Sequence, residues 1–384
     1  MKNELTRIFI EQFQASPQVI VRSPGRVNII GEHADYNNGF VLPAAIDKAA
    51  YIALSLRQDE EIHLTAIDLK ENFSTTIHQL KPIGDISWPN YILGGAAQFV
   101  KKCIPLKGFN LLLTSDVPIG AGLSSSAAVE CATVFAMNHL LQTEFSRIEM
   151  VSMAQKAEHE YAGVMCGIMD QFASMMGKAS QVIKLDCRSL EYQYVPFKLD
   201  GIKILLLNTN VKHSLASSEY NTRREECEKA VELIKAHQPS VESLRDVTVE
   251  MLDQFVLPVN ELVYKRSRFV VDEMERLNDA CNYLEQNDIA SMGECMFETH
   301  EGLSRQYEVS CKELDFLVNF VKDKPEVLGA RMMGGGFGGC TINLVQENAI
   351  AQLVSEIKPA YEAAMNLPLD FYIASIENGT ELIY

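Results

Sequence analysis

Residues 118–130 read P-I-G-A-G-L-S-S-S-A-A-V-E. Just before them, residues 109–113 (F-N-L-L-L) form an apolar run of strand length. After them, residues 127–141 are mostly apolar and long enough for a buried helix. A strand, a glycine loop and a helix start together make an anion site. Gly120 and Gly122 let the backbone come close and turn its N–H groups inward. Ser124, Ser125 and Ser126 add hydroxyls at the first turn, where free N–H groups and the helix dipole favour phosphate. A Walker A loop is excluded, because no lysine stands in this stretch. Serine also favours an ordinary N-cap. One serine suffices for a cap, and three after two glycines are more than capping needs.

The chain has 384 residues, which predicts two domains of ordinary size. An apolar share of 47% and a charged share of 22% are those of a soluble globular protein. No apolar run reaches membrane-spanning length, and the first residues lack a signal-peptide pattern. The nine cysteines are scattered with no C-x-x-C pair. They suit reduced thiols in the cytoplasm better than a disulfide frame or a zinc site. A net charge of −17 argues against nucleic acid or an anionic membrane as partner. A phosphate site in such a chain must be made locally, by backbone dipoles, a cation and a few basic side chains.

The first landmark is residues 19–46, V-I-V-R-S-P-G-R-V-N-I-I-G-E-H-A-D-Y-N-N-G-F-V-L-P-A-A-I. Ser23-Pro24-Gly25 reads as a turn and residues 26–30 as a strand. Asn38-Gly39 signals a tight turn before a second strand at residues 40–42. Between the strands stand Glu32, His33 and Asp35. Two carboxylates and an imidazole can hydrogen-bond several hydroxyls, as a sugar requires; on these residues alone a solvated polar loop is the stronger reading. The spacing of a Ca²⁺ loop is missing. Trp88 and Tyr91 open an apolar helix-like run, where they either flank a ligand ring or pack in the core.

Ser146-Arg147-Ile148-Glu149 is a capping box. It opens a helix to about Tyr161 with an apolar stripe of Met150, Ala154, Ala157 and Tyr161. Glu158 falls on or beside that stripe, so it either reaches water at the edge or is satisfied by a cation. His159-Glu160 starts an H-E-x-x-H pattern that fails at Gly163. Further on, Cys166-Gly167-Ile168-Met169-Asp170-Gln171 reads as a turn into a helix from Gln171 to Met176. Asp170, set among apolar residues, is either an N-cap or a partly desolvated carboxylate with a chemical task.

From about residue 200 the pattern changes. A buried-strand run at residues 204–207 is followed by residues 214–220, S-L-A-S-S-E-Y, leading into a charged helix to about Ala236. A second long helix carries Val263, Val270, Leu277, Cys281 and Leu284 at helical spacing. Residues 238–258 are the least informative. Residues 329–345 read G-A-R-M-M-G-G-G-F-G-G-C-T-I-N-L-V. Gly334, Gly336 and Gly339 formally match G-x-G-x-x-G, but a strand-like run follows where a dinucleotide site needs a helix. The glycines instead suit a turn lying close against the other domain or a ligand.

Three of these stretches together resemble the GHMP family of small-molecule kinases, and within it the galactokinases. The first is similar to the galactokinase signature G-R-V-N-L-I-G-E-H-T-D-Y-N-D-G-F-V-L-P, with Ala34 for its Thr and Asn38 for its second Asp. The second is similar to the P-x-G-x-G-L-S-S-S-A phosphate loop of the whole family, and the third to its C-terminal glycine motif. The resemblance covers about residues 19–345. It implies an α+β chain of two domains: residues 1–199, like the second domain of a ribosomal protein, and residues 200–384, ferredoxin-like, with the site between them. It implies an enzyme in which Mg-ATP phosphorylates the anomeric hydroxyl of α-D-galactose, and a cytoplasmic monomer is expected. Glu32, His33, Asp35, Gly167, Asp170 and Tyr220 would touch the sugar. Gly120, Ala121, Gly122, Leu123, Ser124, Ser125 and Ser126 would hold the phosphates of ATP. Ser126 and Glu158 would hold Mg²⁺, and Trp88 and Tyr91 would line the adenine pocket.

In such a reaction Arg26 would steady the transferring phosphoryl group and hold Asp170 ionised, and Asp170 would orient the C1 hydroxyl and accept its proton. Two other readings stay open. A non-catalytic sugar sensor is disfavoured by the complete Ser-Ser-Ser-Ala-Ala run and by the presence of Asp170 and Arg26. A kinase for N-acetylgalactosamine or a related pentose fits the same polar triplet. A serine hydrolase is disfavoured, since no G-x-S-x-G occurs.

Overall fold

The computed structural model describes residues 1–84, 88–118, 120–211 and 216–384. In the first part of the chain come α1 (Lys2–Phe13), β1 (Val19–Asn28), β2 (Phe40–Val41), β3 (Pro43–Leu56), β4 (Glu61–Ala66) and β5 (Glu71–Thr76). They are followed by α2 (Trp88–Lys101), β6 (Phe109–Ser115), α3 (Ser125–Leu141), α4 (Arg147–Ala157), α5 (Met169–Met176), β7 (Gln181–Asp186) and β8 (Tyr192–Pro196). The second part holds β9 (Ile202–Asn208), α6 (Ala216–Lys235), the single turn α7 (Val249–Met251), α8 (Glu261–Glu285), α9 (Ile289–Arg305) and α10 (Lys312–Val321). It ends with β10 (Val327–Met332), β11 (Cys340–Gln346), α11 (Ile350–Met365), β12 (Asp370–Ala374) and β13 (Glu381–Leu382).

The strands form three sheets. One has the order β13-β1-β3-β6-β4-β5, one β10-β11-β9-β12, and one β2-β7-β8. All the pairings are antiparallel except β4 with β6. The last strand, β13, returns to β1, so the chain's end closes the edge of the first sheet. The four-stranded antiparallel sheet with helices packed on it gives the second half its α+β character, as expected.

Helix α3 is central. It is apolar on every side, and a helix of that kind must be surrounded. It packs on β1 and β3 and against α2, α4 and α5. Its small residues Ala127, Ala128, Cys131 and Ala132 are fully buried. The expected stripe of α4 is buried too, as are Val263, Val270, Leu277, Cys281 and Leu284 of α8. Ser146 forms both halves of its capping box with Glu149. The uninformative residues 238–258 fold into short turns that place Val241, Leu244, Val247, Leu252 and Val256 in a core with α8.

Two expectations are corrected. Ser23-Pro24-Gly25 lies inside β1, not in a turn. The register against β3 shifts between Pro24 and Arg26, so the proline and glycine make a bulge rather than a reversal. A β-carbon on Gly25 would stand 2.5 Å from the Leu123 carbonyl oxygen. The Arg26 N–H donates to that oxygen at 3.1 Å. The bulge thus lays the phosphate-loop backbone on the strand beside Arg26. The helix near Asp170 begins at Met169 rather than Gln171, with Ile168 at its N-cap position, so Asp170 lies in the first turn and does not cap. Ser214 and Leu215, expected to lead into α6, lie outside the described residues, as does Ile119 of the glycine loop.

Candidate active site

The glycine loop connects β6 to α3. Gly120 and Gly122 have φ of 75° and 76°, a conformation glycine adopts freely. Ser124 is also left-handed, at φ 58°, and its side chain makes no helix cap. Its hydroxyl donates instead to Asp170 Oδ2. Two residues on, the Ser126 hydroxyl donates to Glu158 Oε1 at 2.9 Å. The serine run therefore points to two different carboxylates, and capping does not account for it.

Asp170 is gripped on both oxygens by Arg26. Nε donates to Oδ1 at 2.9 Å and Nη2 to Oδ2 at 2.8 Å, while Nη1 donates to the Gly122 carbonyl at 2.6 Å. This fork geometry is specific to arginine. Burial alone would lower the Arg26 pKa, but Asp170 and Glu32 outweigh it and raise it. One guanidinium thus joins the bulge of β1, the glycine loop and the first turn of α5.

These groups open on a cleft of about 330 Å³. Arg26, Glu32, His33, Asp35, Glu158, Gly167, Asp170 and Tyr220 all line it, together with Cys166, Gly334 and Gly335. The polar triplet is therefore not a solvated loop. Glu32 Oε1 accepts from Arg331 Nη2 at 3.0 Å and from the Gly334 N–H at 2.8 Å. Burial would raise the Glu32 carboxyl, but Arg331, Arg26 and the Gly334 N–H hold it below its ordinary value. His33 Nδ1 and the Tyr36 hydroxyl lie 2.8 Å apart. Burial pulls the imidazole down to about 4, so it is neutral near pH 7. Asp35 accepts from the Tyr36 N–H at 2.9 Å. Burial and the neighbouring Asp170 push the Asp35 carboxyl up to about 7.

The glycine motif before β11 forms the cleft's opposite wall. Gly334 has φ 84° and stands against Gly122, while Gly339 stands against Ala121. The expected close approach to the other half of the chain is found.

Glu158 is buried and begins a π-helical turn, Glu158–Ala162, a form met at functional sites. Burial and the nearby Asp170 raise its pKa. Past the Ser126–Glu158 contact lies a second cavity of about 480 Å³, lined by Trp88, Tyr91, Ser125, Ser126 and Val129 among others. The Trp88 indole donates to Glu71 Oε2 at 2.7 Å. The Ser126–Glu158 hydrogen bond links a residue that lines this cavity to one that lines the first. Among the described residues no group of three or more His, Cys, Asp or Glu side chains forms a metal cage. Mg²⁺ held by one or two carboxylates plus substrate phosphates needs none, and a buried carboxylate beside a hydroxyl fits that use.

Three contributors escaped sequence reading. Arg331 is fully buried and also donates to the Ile29 carbonyl at 2.8 Å and to the Asn28 carbonyl. Its signal was available: a lone charge inside the strand-like run before the glycines. Tyr307, whose hydroxyl lies 2.7 Å from that of Tyr36, and Gln171 gave no local signal, because their partners are distant in sequence.

Comparison with known proteins gives the family. Residues 7–56 match the galactokinase galactose-binding signature, residues 90–178 the GHMP kinases N terminal domain, and residues 282–363 the GHMP kinases C terminal model. The galactokinase of Thermotoga maritima is 40% identical over 363 residues, covering 94% of this chain and 99% of that protein. That of Chloroflexus aggregans is 37% identical over 376 residues, covering 98% and 96%. The crystal structure of Lactococcus lactis galactokinase complexed with galactose superposes with a TM-score of 0.94 at 33% identity, covering 99% of each chain. A mevalonate kinase at 19% identity and TM-score 0.68 shares the fold. Matched over nearly its whole length, the chain belongs to the galactokinase family of GHMP kinases.

Proposed function

We propose that this chain transfers the γ-phosphoryl group of Mg-ATP to the anomeric hydroxyl of α-D-galactose, giving galactose 1-phosphate and ADP. The observation that carries this reading is the Ser124–Asp170–Arg26 junction, where the glycine loop meets the polar cleft. A phosphate held by that loop and a hydroxyl held beside Asp170 are then neighbours. Phosphoryl transfer needs that placement more than it needs covalent chemistry.

The contacts within the cleft support the following roles. Glu32, His33, Asp35, Gly167 and Tyr220 bind the sugar, and Gly120 to Ser126 hold the triphosphate through backbone N–H groups and hydroxyls. Trp88 and Tyr91 face the base. Asp170 aims the C1 hydroxyl and takes its proton, and Arg26 meets charge growing on the transferring group. Ser126 and Glu158 hold Mg²⁺, which supplies charge neutralisation on the phosphate oxygens when bound. A division near residue 199 into two domains suits the change of sheet there. Since one chain contributes all these groups, a monomer suffices, and nine unpaired thiols support a reducing compartment such as the cytoplasm.

ADP release with a panel of sugars, run beside Asp170→Asn, tests the reading. Galactose-dependent release by the wild type alone supports it. Preference for N-acetylgalactosamine would replace the substrate, and sugar binding without ADP release would replace the enzyme with a sensor.

A further inference from the structure

Gln171 follows Asp170 in α5 and is wholly buried. Its amide nitrogen donates to Glu130 Oε2 at 3.0 Å and to Glu158 Oε2 at 2.6 Å. A side-chain amide carries two N–H protons, and the two carboxylate oxygens are the nearest acceptors, with Cys166 Sγ farther off at 3.8 Å. Glu158 Oε2 also accepts from Cys166 Sγ at 3.3 Å. The other oxygen, Oε1, meets the Ser126 hydroxyl at 2.9 Å. Glu158 is thus fixed from behind by one oxygen, with the other turned toward Ser126. Glu130 is entirely buried in the apolar helix α3. It stands four residues after Ser126, on the same side of that helix. A carboxylate inside an apolar helix is costly and needs a reason. Here it anchors Gln171 to the helix that carries the hydroxyl.

We infer that Gln171, anchored by Glu130, is a positioning residue for the divalent cation: it sets Glu158 against Ser126 from the helix that bears Asp170. The inference rests on the reading of Ser126 and Glu158 as the Mg²⁺ donors. It joins the cation and the acceptor hydroxyl mechanically, because adjacent residues of one short helix orient both. Groups that hold a metal ligand in place commonly account for 10- to 100-fold in metal affinity.

The test uses Mn²⁺ in place of Mg²⁺ and a non-hydrolysable ATP analogue, so that no turnover is needed. Free Mn²⁺ is followed by electron paramagnetic resonance, and galactose affinity by calorimetry. Gln171→Leu is expected to weaken Mn²⁺ binding by about 10- to 100-fold while galactose affinity stays within twofold. Gln171→Asn keeps the amide but is one methylene too short to span both carboxylates. It serves where the leucine variant does not fold, and is expected to weaken Mn²⁺ by about 10-fold. Glu158→Gln is the control. If Glu158→Gln weakens Mn²⁺ and neither Gln171 variant does, the inference is overturned and the metal reading stands. If Glu158→Gln leaves Mn²⁺ unchanged, the metal reading itself fails and takes the inference with it. A Gln171 variant that loses galactose as badly as Mn²⁺ shows general damage to α5, which also overturns it.

Discussion

A β-carbon on Gly167 would stand 1.8 Å from Oδ2 of Asp35. The glycine is therefore the surface against which that carboxylate rests, and any side chain there must push Asp35 out of place. Gly167→Ala is expected to raise the galactose KM by about 10- to 100-fold, on the scale of an ångström-sized misplacement in a binding site. The ATP KM should stay within about threefold, because the cavity proposed for the nucleotide is lined by Ser125 and Ser126 and not by Asp35 or Gly167. An unchanged galactose KM would remove Asp35 from the sugar contacts.

Arg26 spends three nitrogens on Asp170 and the Gly122 carbonyl. Lysine offers one point charge and cannot reproduce the fork. Arg26→Lys is expected to lower kcat by about 10²- to 10³-fold, the scale of a lost electrostatic contact in a transition state. Its galactose KM should change much less. Should steady-state kinetics show a loss in KM instead of kcat, Arg26 serves ground-state binding and not the chemical step.

Asp170→Asn keeps the shape but can no longer accept a proton. Loss of a positioned base costs about 10²- to 10⁴-fold in rate. Galactose affinity by calorimetry is expected to persist, since the amide can still hydrogen-bond the hydroxyl. Turnover within tenfold of the wild type would mean that Asp170 only orients the acceptor.

What could be read from the chain alone had a physical limit. The glycine loop and its helix were legible because strand length, left-handed turns and an all-apolar helix leave local marks. The capping box at Ser146 was legible for the same reason. Pro24-Gly25 misled, since a bulge and a turn ask for the same residues and only the partner strand tells them apart. Whether Glu158 faced water or the interior turned on a π-turn that shifts the helical stripe by part of a residue. Arg331 and Gln171 act on groups brought close only by the fold, Glu32 from 299 positions away and Glu130 from 41. No spacing in the sequence encodes such distances.

Arg331 carries a stability prediction. It is fully buried and holds Glu32 together with the Asn28 and Ile29 carbonyls at the end of β1. Methionine in its place keeps the volume but leaves an uncompensated buried carboxylate and carbonyls without their donor. Breaking one side of a buried pair costs about 3–5 kcal/mol. Arg331→Met is expected to lose about that much in denaturant unfolding, and Glu32→Gln less, because the amide oxygen still accepts from Arg331. Equal stability of wild type and Arg331→Met would show that the pair is not needed to join the two halves.

The Asp35 carboxyl gives the pH dependence, with a definite sign. Burial and Asp170 push it up to about 7 in the folded chain, against ~3.9 for an unfolded aspartate. Between those values the folded state holds a proton that the unfolded state has released. Stability must then fall as pH rises through that window, because the slope follows the difference in bound protons. The contribution is whole below about pH 4 and lost as pH passes about 7. Asn at this position is never charged, so Asp35→Asn removes that component. The difference in Tm between variant and wild type should therefore be more positive at pH 8 than at pH 5. Galactose bound as proposed should weaken the trend in the wild type, as its hydroxyls would donate to the carboxylate and favour the ionised form. A Tm difference that is flat between pH 5 and pH 8 would mean that Asp35 is already ionised throughout, and that neither burial nor Asp170 governs its charge.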